Sequence, residues 1–128
     1  MWILSLNVIG FGGLAKQRTL VTLFRSLSPY MVLLQETMCS HYPALLDFPK
    51  LLPGWEFRAT SAEGLSSGLL TGWNPRSVHS KSFETLVVIL VKAHFRNSFV
   101  SFSVFNCYGP YRDHDILWNR VEAGGLLR

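Results

Sequence analysis

The sequence predicts a mixed α/β fold, and three observations support this prediction. Apolar residues make up 48% of the 128 residues and charged residues only 16%, below the roughly 25% of an average soluble domain. Residues 31–34 are all apolar, which is typical of a strand covered on both faces. Strand-like and helix-like stretches also alternate, in the order β-α-β-α-β-β-β-β-α. The composition excludes intrinsic disorder, and the length fits one domain over residues 1–128.

The first half of the chain alternates strand and helix. Residues 2–8 alternate in apolar and polar character, and a glycine cluster follows them. This pattern predicts a strand that enters a turn. Residues 15–27 repeat leucine and phenylalanine at helical spacing, with basic residues opposite, which predicts an amphipathic helix. Ser28 ends it, because a residue before proline is disfavoured in the helical region. Residues 41–52 predict a second, proline-interrupted helix.

The second half is richer in strands. Residues 55–60 and 68–73 predict two strands, the second stopped by an Asn-Pro pair. The β-branched and aromatic runs 84–95 and 99–105 predict two more, joined by a hairpin at residues 96–98.

The end of the chain predicts one more helix and the start of a further strand. Residues 114–123 carry apolar residues on one helical face, and Gly124 terminates the pattern. The leucines at 126 and 127 then resemble the first step of another buried strand. We therefore expect an incomplete sheet, whose exposed face predicts self-association.

Several classes of protein are excluded by what the sequence contains. No run approaches the ~18–20 apolar residues of a membrane helix, and residues 1–15 lack the basic region of a signal peptide. We expect an intracellular protein that is not secreted and has no membrane partner.

Cys39 and Cys107 predict two buried thiols in a reducing compartment. The four histidines show no zinc-ligand spacing. The 12 basic residues, against 8 acidic ones, are dispersed and predict an ordinary solvated face.

Polar residues at the ends of apolar strands are the candidate functional residues, because strand ends present side chains to a crevice. They are Asn7, Glu36, Asn74, Asn106 and Tyr108. Singly, each has a structural explanation: turn formation for Asn7 and Asn74, capping or surface exposure for Glu36, core packing for Tyr108. Together, a carboxylate beside neutral amides suits Mg²⁺, which binds oxygen ligands, waters and substrate phosphate.

All five of these residues lie in short motifs that follow one another in a set order. The motifs are Asn7-Val8-Ile9-Gly10, Leu33-Leu34-Gln35-Glu36-Thr37, Ser67-Gly68-Leu69-Leu70, Trp73-Asn74-Pro75, and Asn106-Cys107-Tyr108-Gly109-Pro110-Tyr111 with Trp118. In them the sequence resembles the endonuclease/exonuclease/phosphatase superfamily, and is most similar to apurinic-type endonuclease domains of plant non-long-terminal-repeat retrotransposons. The resemblance implies a four-layered α/β sandwich. This chain would supply its N-terminal portion, with the first sheet, its helices and part of the second sheet.

The resemblance also implies a metal-dependent phosphodiesterase that acts on DNA. Glu36 would hold Mg²⁺ or Mn²⁺, and Asn7 would help to shape the metal and phosphate site. Tyr108 would contact the scissile phosphate, Asn74 would also bind phosphate, and Asn106 would support the catalytic loop.

The sequence departs from the superfamily pattern in ways that bear on activity. It contains neither the Gly-Asp-x-Asn motif nor the late Asp-His pair, since Asp113-His114 lies at the start of the last predicted helix. We therefore expect the 128 residues alone to be inactive and to bind metal weakly. Ile9 stands where an arginine is frequent. Two alternatives stay open: a non-catalytic retrotransposon-derived remnant, and a plain nucleic-acid-binding module using the +4 charge and exposed aromatics. Nuclear residence would follow if the element were live.

Overall fold

Two β-sheets packed face to face, with a helix outside the first, form the core of the protein. The computed structural model describes residues 3–10, 13–38, 48–60, 68–84 and 88–107. The elements in these ranges are β1 (Ile3–Asn7), α1 (Leu14–Leu27), β2 (Met31–Gln35), α2 (Phe48–Leu51), β3 (Glu56–Thr60), β4 (Leu69–Trp73), β5 (Val78–Glu84), β6 (Val88–Phe95) and β7 (Ser101–Cys107). The first sheet has the order β1-β2-β4-β3 and the second the order β5-β6-β7. The predicted α/β fold class is confirmed.

The directions of the strands decide which residues meet at each edge of the first sheet. β1 and β2 are parallel and joined by α1, so that Asn7 lies opposite Gln35. β4 is antiparallel to β2, with Leu69 opposite Gln35, and Thr60 of β3 lies opposite Leu69. The last residues of β1, β2 and β3 therefore lie with the first residue of β4 at one edge, which we call the carboxyl edge.

The predicted first helix is confirmed, and it covers one face of the first sheet. Leu20, Val21 and Phe24 of α1 are buried against Val32 and Leu34 of β2. Each such aliphatic or aromatic side chain contributes about 1.5–3 kcal/mol when fully buried. The helix ends as the sequence predicts.

A left-handed residue terminates α1. Ser28 has φ 49° and ψ 51°, and its N–H donates to the carbonyl of Phe24 at 2.8 Å. Pro29 follows and cannot continue the helix.

The second sheet covers the other face of the first. Met31, Leu33 and Trp73 from the first sheet are buried in one cluster with apolar residues of the second: Val78, Ile89, Val91 and Ala93. Because residues 31–34 alternate between this cluster and the helix side, β2 is buried on both faces, as the sequence predicts.

The two sheets are also joined at their β3–β5 side. The Arg58 guanidinium lies 3.7 Å from a carboxylate oxygen of Glu84 and 5.4 Å from the ring centroid of Trp73. Because Arg58 and Glu84 are each more than a third exposed, this ion pair orients the sheets but adds little stability.

Strand β5 was not predicted from the sequence. The sequence analysis gives one strand over residues 84–95, whereas the structure has β5 at 78–84 and β6 at 88–95. β5 is an edge strand in which residues 79–82 are all polar, so it lacks the apolar run that marks a covered strand. The last strand also begins and ends two residues later than predicted.

Other sequence predictions fall partly or wholly outside the described residues. Of the helix predicted over 41–52, the structure describes α2 at Phe48–Leu51. The helix predicted over 114–123 lies outside the described residues. In the described ranges, no helix has the length and apolar character needed to cross a membrane.

Substitution of Gly72 by alanine should destabilise the fold. A Cβ added there would lie 2.5 Å from a ring carbon of Phe57 and 3.3 Å from a methyl of Val32, so the core must shift. We expect a loss of about 1–3 kcal/mol in the free energy of unfolding, measured by urea denaturation.

Gly13→Ala provides the control, because an added Cβ there meets no heavy atom within 4 Å. Its effect should stay below about 1 kcal/mol. Equal losses for the two variants would show that β3 and β4 do not pack as described.

Candidate active site

Two of the predicted site residues lie side by side at the carboxyl edge. Asn7 ends β1 opposite Gln35, the last residue of β2, and Glu36 follows directly. Backbone hydrogen bonds continue past the strands: the N–H of Val8 donates to the carbonyl of Gln35 at 2.9 Å, and that of Gly10 to the carbonyl of Glu36 at 2.7 Å. The loop after β1 is therefore held along the end of β2. Asn7 is exposed and Glu36 is partly buried.

Left-handed backbone is concentrated at this edge. The φ angles are 46° at Ile9, 54° at Glu36 and 55° at Met38, besides 89° at Gly10 and 97° at Gly68. Such a conformation costs a non-glycine residue roughly 1–2 kcal/mol, most of all a β-branched one such as Ile9. Strain of this kind tends to cluster at functional sites.

The loop after β1 brings a cation to the edge. The side-chain oxygen of Asn7 accepts a hydrogen bond from the N–H of Ile9 at 3.3 Å, which forms a local turn. The ammonium of Lys16, in the first turn of α1, donates to the carbonyl of Ile9 at 3.2 Å. The helix N-terminus begins after Gly13 with no acidic residue in its first turn and no side-chain cap. Free N–H groups at a helix N-terminus favour anions.

Lys16 was missed as a site residue by the sequence analysis, which placed it only on the polar face of a helix. The signal that could have found it is its position: a basic residue in the first turn of a helix that follows a strand ending in Asn7.

A buried amide lies beneath this edge and joins the two sheets. Asn106 of β7 is only 1% exposed. Its nitrogen lies 3.1 Å from each of three acceptors, the carbonyls of Leu34 and Leu70 and the hydroxyl of Thr71. Its oxygen accepts a hydrogen bond from the Gln35 amide nitrogen at 3.0 Å. Both polar atoms of the buried side chain are thus satisfied, as burial requires.

Gln35 extends this network to β1. Its amide nitrogen lies 3.1 Å from the hydroxyl of Ser5 and 3.2 Å from the carbonyl of Leu33. The network therefore runs from β1 through β2 to β7, directly below Asn7 and Glu36. Asn106 was predicted to support the catalytic loop; in the structure it is a buried link between the two sheets rather than an exposed group.

The structure does not bring Asn74 to this group. β4 runs antiparallel to β2, so its C-terminal end lies at the opposite edge of the sheet, where β2 begins. There the N–H of Asn74 donates to the carbonyl of Tyr30 at 3.1 Å, and its side-chain oxygen accepts the N–H of Arg76 at 3.0 Å. In the structure Asn74 forms a turn. Tyr108 lies outside the described residues.

The donor groups at the edge fit one kind of metal ion. Within the described ranges, no cluster of three or more histidine, cysteine, aspartate or glutamate residues could hold a metal. One carboxylate, from Glu36, and one amide oxygen, from Asn7, instead suit a hard cation that keeps several waters and shares a phosphate.

The thiol of Cys107, next to Asn106 in the sequence, is a poor candidate nucleophile. Cys107 follows Asn106 in β7 and is partly buried, and burial raises the pKa of its thiol. A raised thiol pKa leaves less of the reactive thiolate at neutral pH. Cys39, the other cysteine, lies outside the described residues.

Comparison with solved structures supports the fold. The chain is similar to the crystal structure of the AP endonuclease LMAP from Leishmania major, with a TM-score of 0.61 and 18% sequence identity. The match covers 83% of this chain and 39% of that one, so the chain spans about two fifths of the length of the endonuclease. At this identity the likeness establishes the fold alone. No family model matches the sequence, and no curated protein matches it.

Removal of the Asn106 side chain should destabilise the packed sheets. Asn106→Ala leaves the carbonyls of Leu34 and Leu70 and the Gln35 amide without this buried partner. Each buried unsatisfied group costs about 1–3 kcal/mol, so we expect a loss of about 3 kcal/mol in unfolding free energy by urea titration. Asn97→Ala, in an exposed turn, should change stability by less than about 1 kcal/mol. A loss no larger at Asn106 than at Asn97 would disprove the bridging role.

A second prediction concerns the strained loop. Ile9→Asn should stabilise the protein by about 0.5–1 kcal/mol, because asparagine adopts left-handed backbone more readily and Ile9, 68% exposed, gives up little buried area. The control Ile3→Asn makes the same change in extended strand β1, at a side chain 40% exposed, and should destabilise. Thermal unfolding of both variants measures the difference. If both substitutions lower the Tm, the loop is not left-handed at residue 9.

Proposed function

We propose that this chain carries the metal- and phosphate-binding part of an endonuclease-type phosphodiesterase whose substrate is the DNA backbone. The observation on which the proposal rests is the adjacency of Glu36 and Asn7 at the carboxyl edge, in a fold shared with an AP endonuclease. Parallel strands of open α/β sheets present ligand-binding residues at this edge.

Glu36 and Asn7 have separate roles in the proposed site. The Glu36 carboxylate holds Mg²⁺ or Mn²⁺, and the Asn7 side-chain oxygen, which uses one lone pair on the Ile9 N–H, orients the ion and its waters. When bound, such an ion stabilises negative charge on the phosphoryl oxygens and lowers the pKa of a bound water.

The phosphate is bound by the groups beside these two residues. Lys16 lies within 3.2 Å of the loop carbonyl at Ile9, where its charge can compensate a phosphate oxygen. The free N–H groups at the start of α1 add donors that point to the same edge. Tyr108 is the further phosphate ligand that we propose, because it stands two residues after Asn106 in the sequence and β7 runs toward this edge.

Asn106 is a positioning residue in this account. It touches neither metal nor phosphate, because it is buried between the sheets with its amide hydrogen-bonded. Its effect on binding is exerted through Gln35, which lies opposite Asn7. We do not assign Asn74 to the site, because it lies at the opposite edge of the sheet.

The motif order further supports an apurinic-type domain of a retrotransposon as the origin of the chain. Within the 128 residues, the Gly-Asp-x-Asn motif and the late Asp-His pair are absent, and each missing general base or acid typically lowers the rate by 10²–10⁴. We therefore expect metal binding by these residues but background nicking of DNA.

A non-catalytic remnant of a retrotransposon is the second candidate. The two candidates differ in one measurable property. If the metal site is functional, metal binding depends on Glu36. In a remnant whose site is not under selection, metal binding need not depend on Glu36.

Glu36→Gln should weaken Mn²⁺ binding to the 128-residue chain. Loss of even an outer-shell partner commonly costs 10–100-fold in metal affinity, so loss of the carboxylate should cost at least about 100-fold, and Asn7→Ala about 10-fold. Mn²⁺ titration followed by electron paramagnetic resonance measures both values.

The matched control is Glu56→Gln, which removes the same charge at the opposite edge, where Glu56 lies opposite Trp73. It should leave the Mn²⁺ affinity within about two-fold. Equal weakening by the Glu36 and Glu56 variants would favour the remnant. A supercoiled-plasmid assay with Mg²⁺ should show background nicking; nicking that survives Glu36→Gln would place catalysis elsewhere.

A further inference from the structure

The outer face of the second sheet carries a groove that the proposed hydrolytic site does not use. Side chains alternate along a strand, so Val78 faces the first sheet while His79, Lys81 and Phe83 face outward. The groove has a volume of about 550 Å³. The exposed side chains that line it are His79, Lys81, Lys92, His94, Ser101 and Ser103.

The register of β5 and β6 places identical residue types opposite each other across this groove. His79 lies opposite His94, with ring centroids 5.0 Å apart, and Lys81 lies opposite Lys92. In the sequence the histidines show no ligand spacing and the basic residues are dispersed. The pairing of β5 with β6 corrects this, because it brings His79 and His94, 15 positions apart, and Lys81 and Lys92, 11 positions apart, into direct pairs. Like charges directly opposite each other destabilise a sheet, so an anion bound between the two lysines would relieve this repulsion.

The chemistry of the lining selects an anion over a cation. All six exposed side chains can donate hydrogen bonds, and among the residues that the structure describes no carboxylate lines the groove. Two histidines could chelate a transition metal, but Lys81 and Lys92 occupy the next row, about 6.8 Å along the strands, where their charges repel a cation.

An aromatic ring continues the same row. Phe83 lies one outward step beyond Lys81, is 46% exposed, and has the Lys92 ammonium 5.9 Å from its ring centroid. Along β5 the outward face therefore presents an imidazole, an ammonium and an aromatic ring at equal steps. Basic groups that follow a backbone and rings on which bases stack are the two components of single-strand recognition.

We infer that this face is a binding surface for single-stranded nucleic acid, with phosphates at the histidine and lysine rows and a base against Phe83. The surface is separate from the carboxyl edge, since the second sheet lies between them, and its binding requires no metal. A concave groove of hydrogen-bond donors suits an extended polyanion rather than the plane of a membrane.

The test is fluorescence anisotropy of a labelled twelve-nucleotide oligothymidine with the whole 128-residue chain in EDTA. We expect a Kd of about 10⁻⁶ to 10⁻⁴ M. The double variant Lys81→Gln/Lys92→Gln should weaken binding at least about ten-fold and reduce the slope of log K against log salt by about 1.4, two phosphates at 0.7 each.

The matched control is Arg18→Gln/Lys50→Gln, which removes the same charge from the helix side, where both side chains are exposed. It should change binding by less than about three-fold, since distant exposed charges are screened. Equal weakening by the two double variants would overturn the proposal, as would stronger binding to anionic phosphatidylserine vesicles than to the oligonucleotide.

A further variant separates binding from folding. Lys81→Glu replaces the like-charged pair by an opposite-charged one, so it should raise the Tm while it weakens oligonucleotide binding. A higher Tm with unchanged binding would show that the lysine pair serves no ligand. Because the assay contains EDTA, a failed metal site at Glu36 leaves this result unaffected.

Discussion

The buried amide of Asn106 is the interaction on which the arrangement of the two sheets depends. The carbonyls of Leu34 and Leu70 can only accept hydrogen bonds, so the amide nitrogen must face them and its oxygen must face Gln35. This orientation fixes the position of β7 above β2 and β4. A slip of β7 by one residue would place Phe105 or Cys107 there and leave those polar groups unpaired.

The carboxyl edge depends on that constraint. Gln35, which bonds to Asn106, lies opposite Asn7 and immediately precedes Glu36. The strained turns at Ile9 and Glu36 can persist because the neighbouring strand β2 is packed on both faces. The backbone of β2 therefore cannot shift to relieve the strain. The rigid interior thus holds an exposed loop in a conformation that the loop would not adopt alone.

The fold class, α1 and β2 could be predicted because their evidence is local: helical spacing in α1 and unbroken apolar character in β2. β5 could not, since an edge strand with outward histidine and lysine has no apolar run. The position of Asn74 depends on the direction of β4, which no local pattern in β4 reveals. The pairing of His79 with His94 likewise depends on the register of β5 and β6, so the local sequence does not show which residues become partners.

The placement of Mn²⁺ is tested most directly by paramagnetic broadening of amide signals in the ¹⁵N-labelled 128-residue chain. The account predicts selective broadening of Asn7, Gly10 and Glu36 at the carboxyl edge, while Asn74 and Glu56 at the opposite edge stay sharp. Broadening centred on the opposite edge, or spread evenly over the surface carboxylates, would contradict the proposed site.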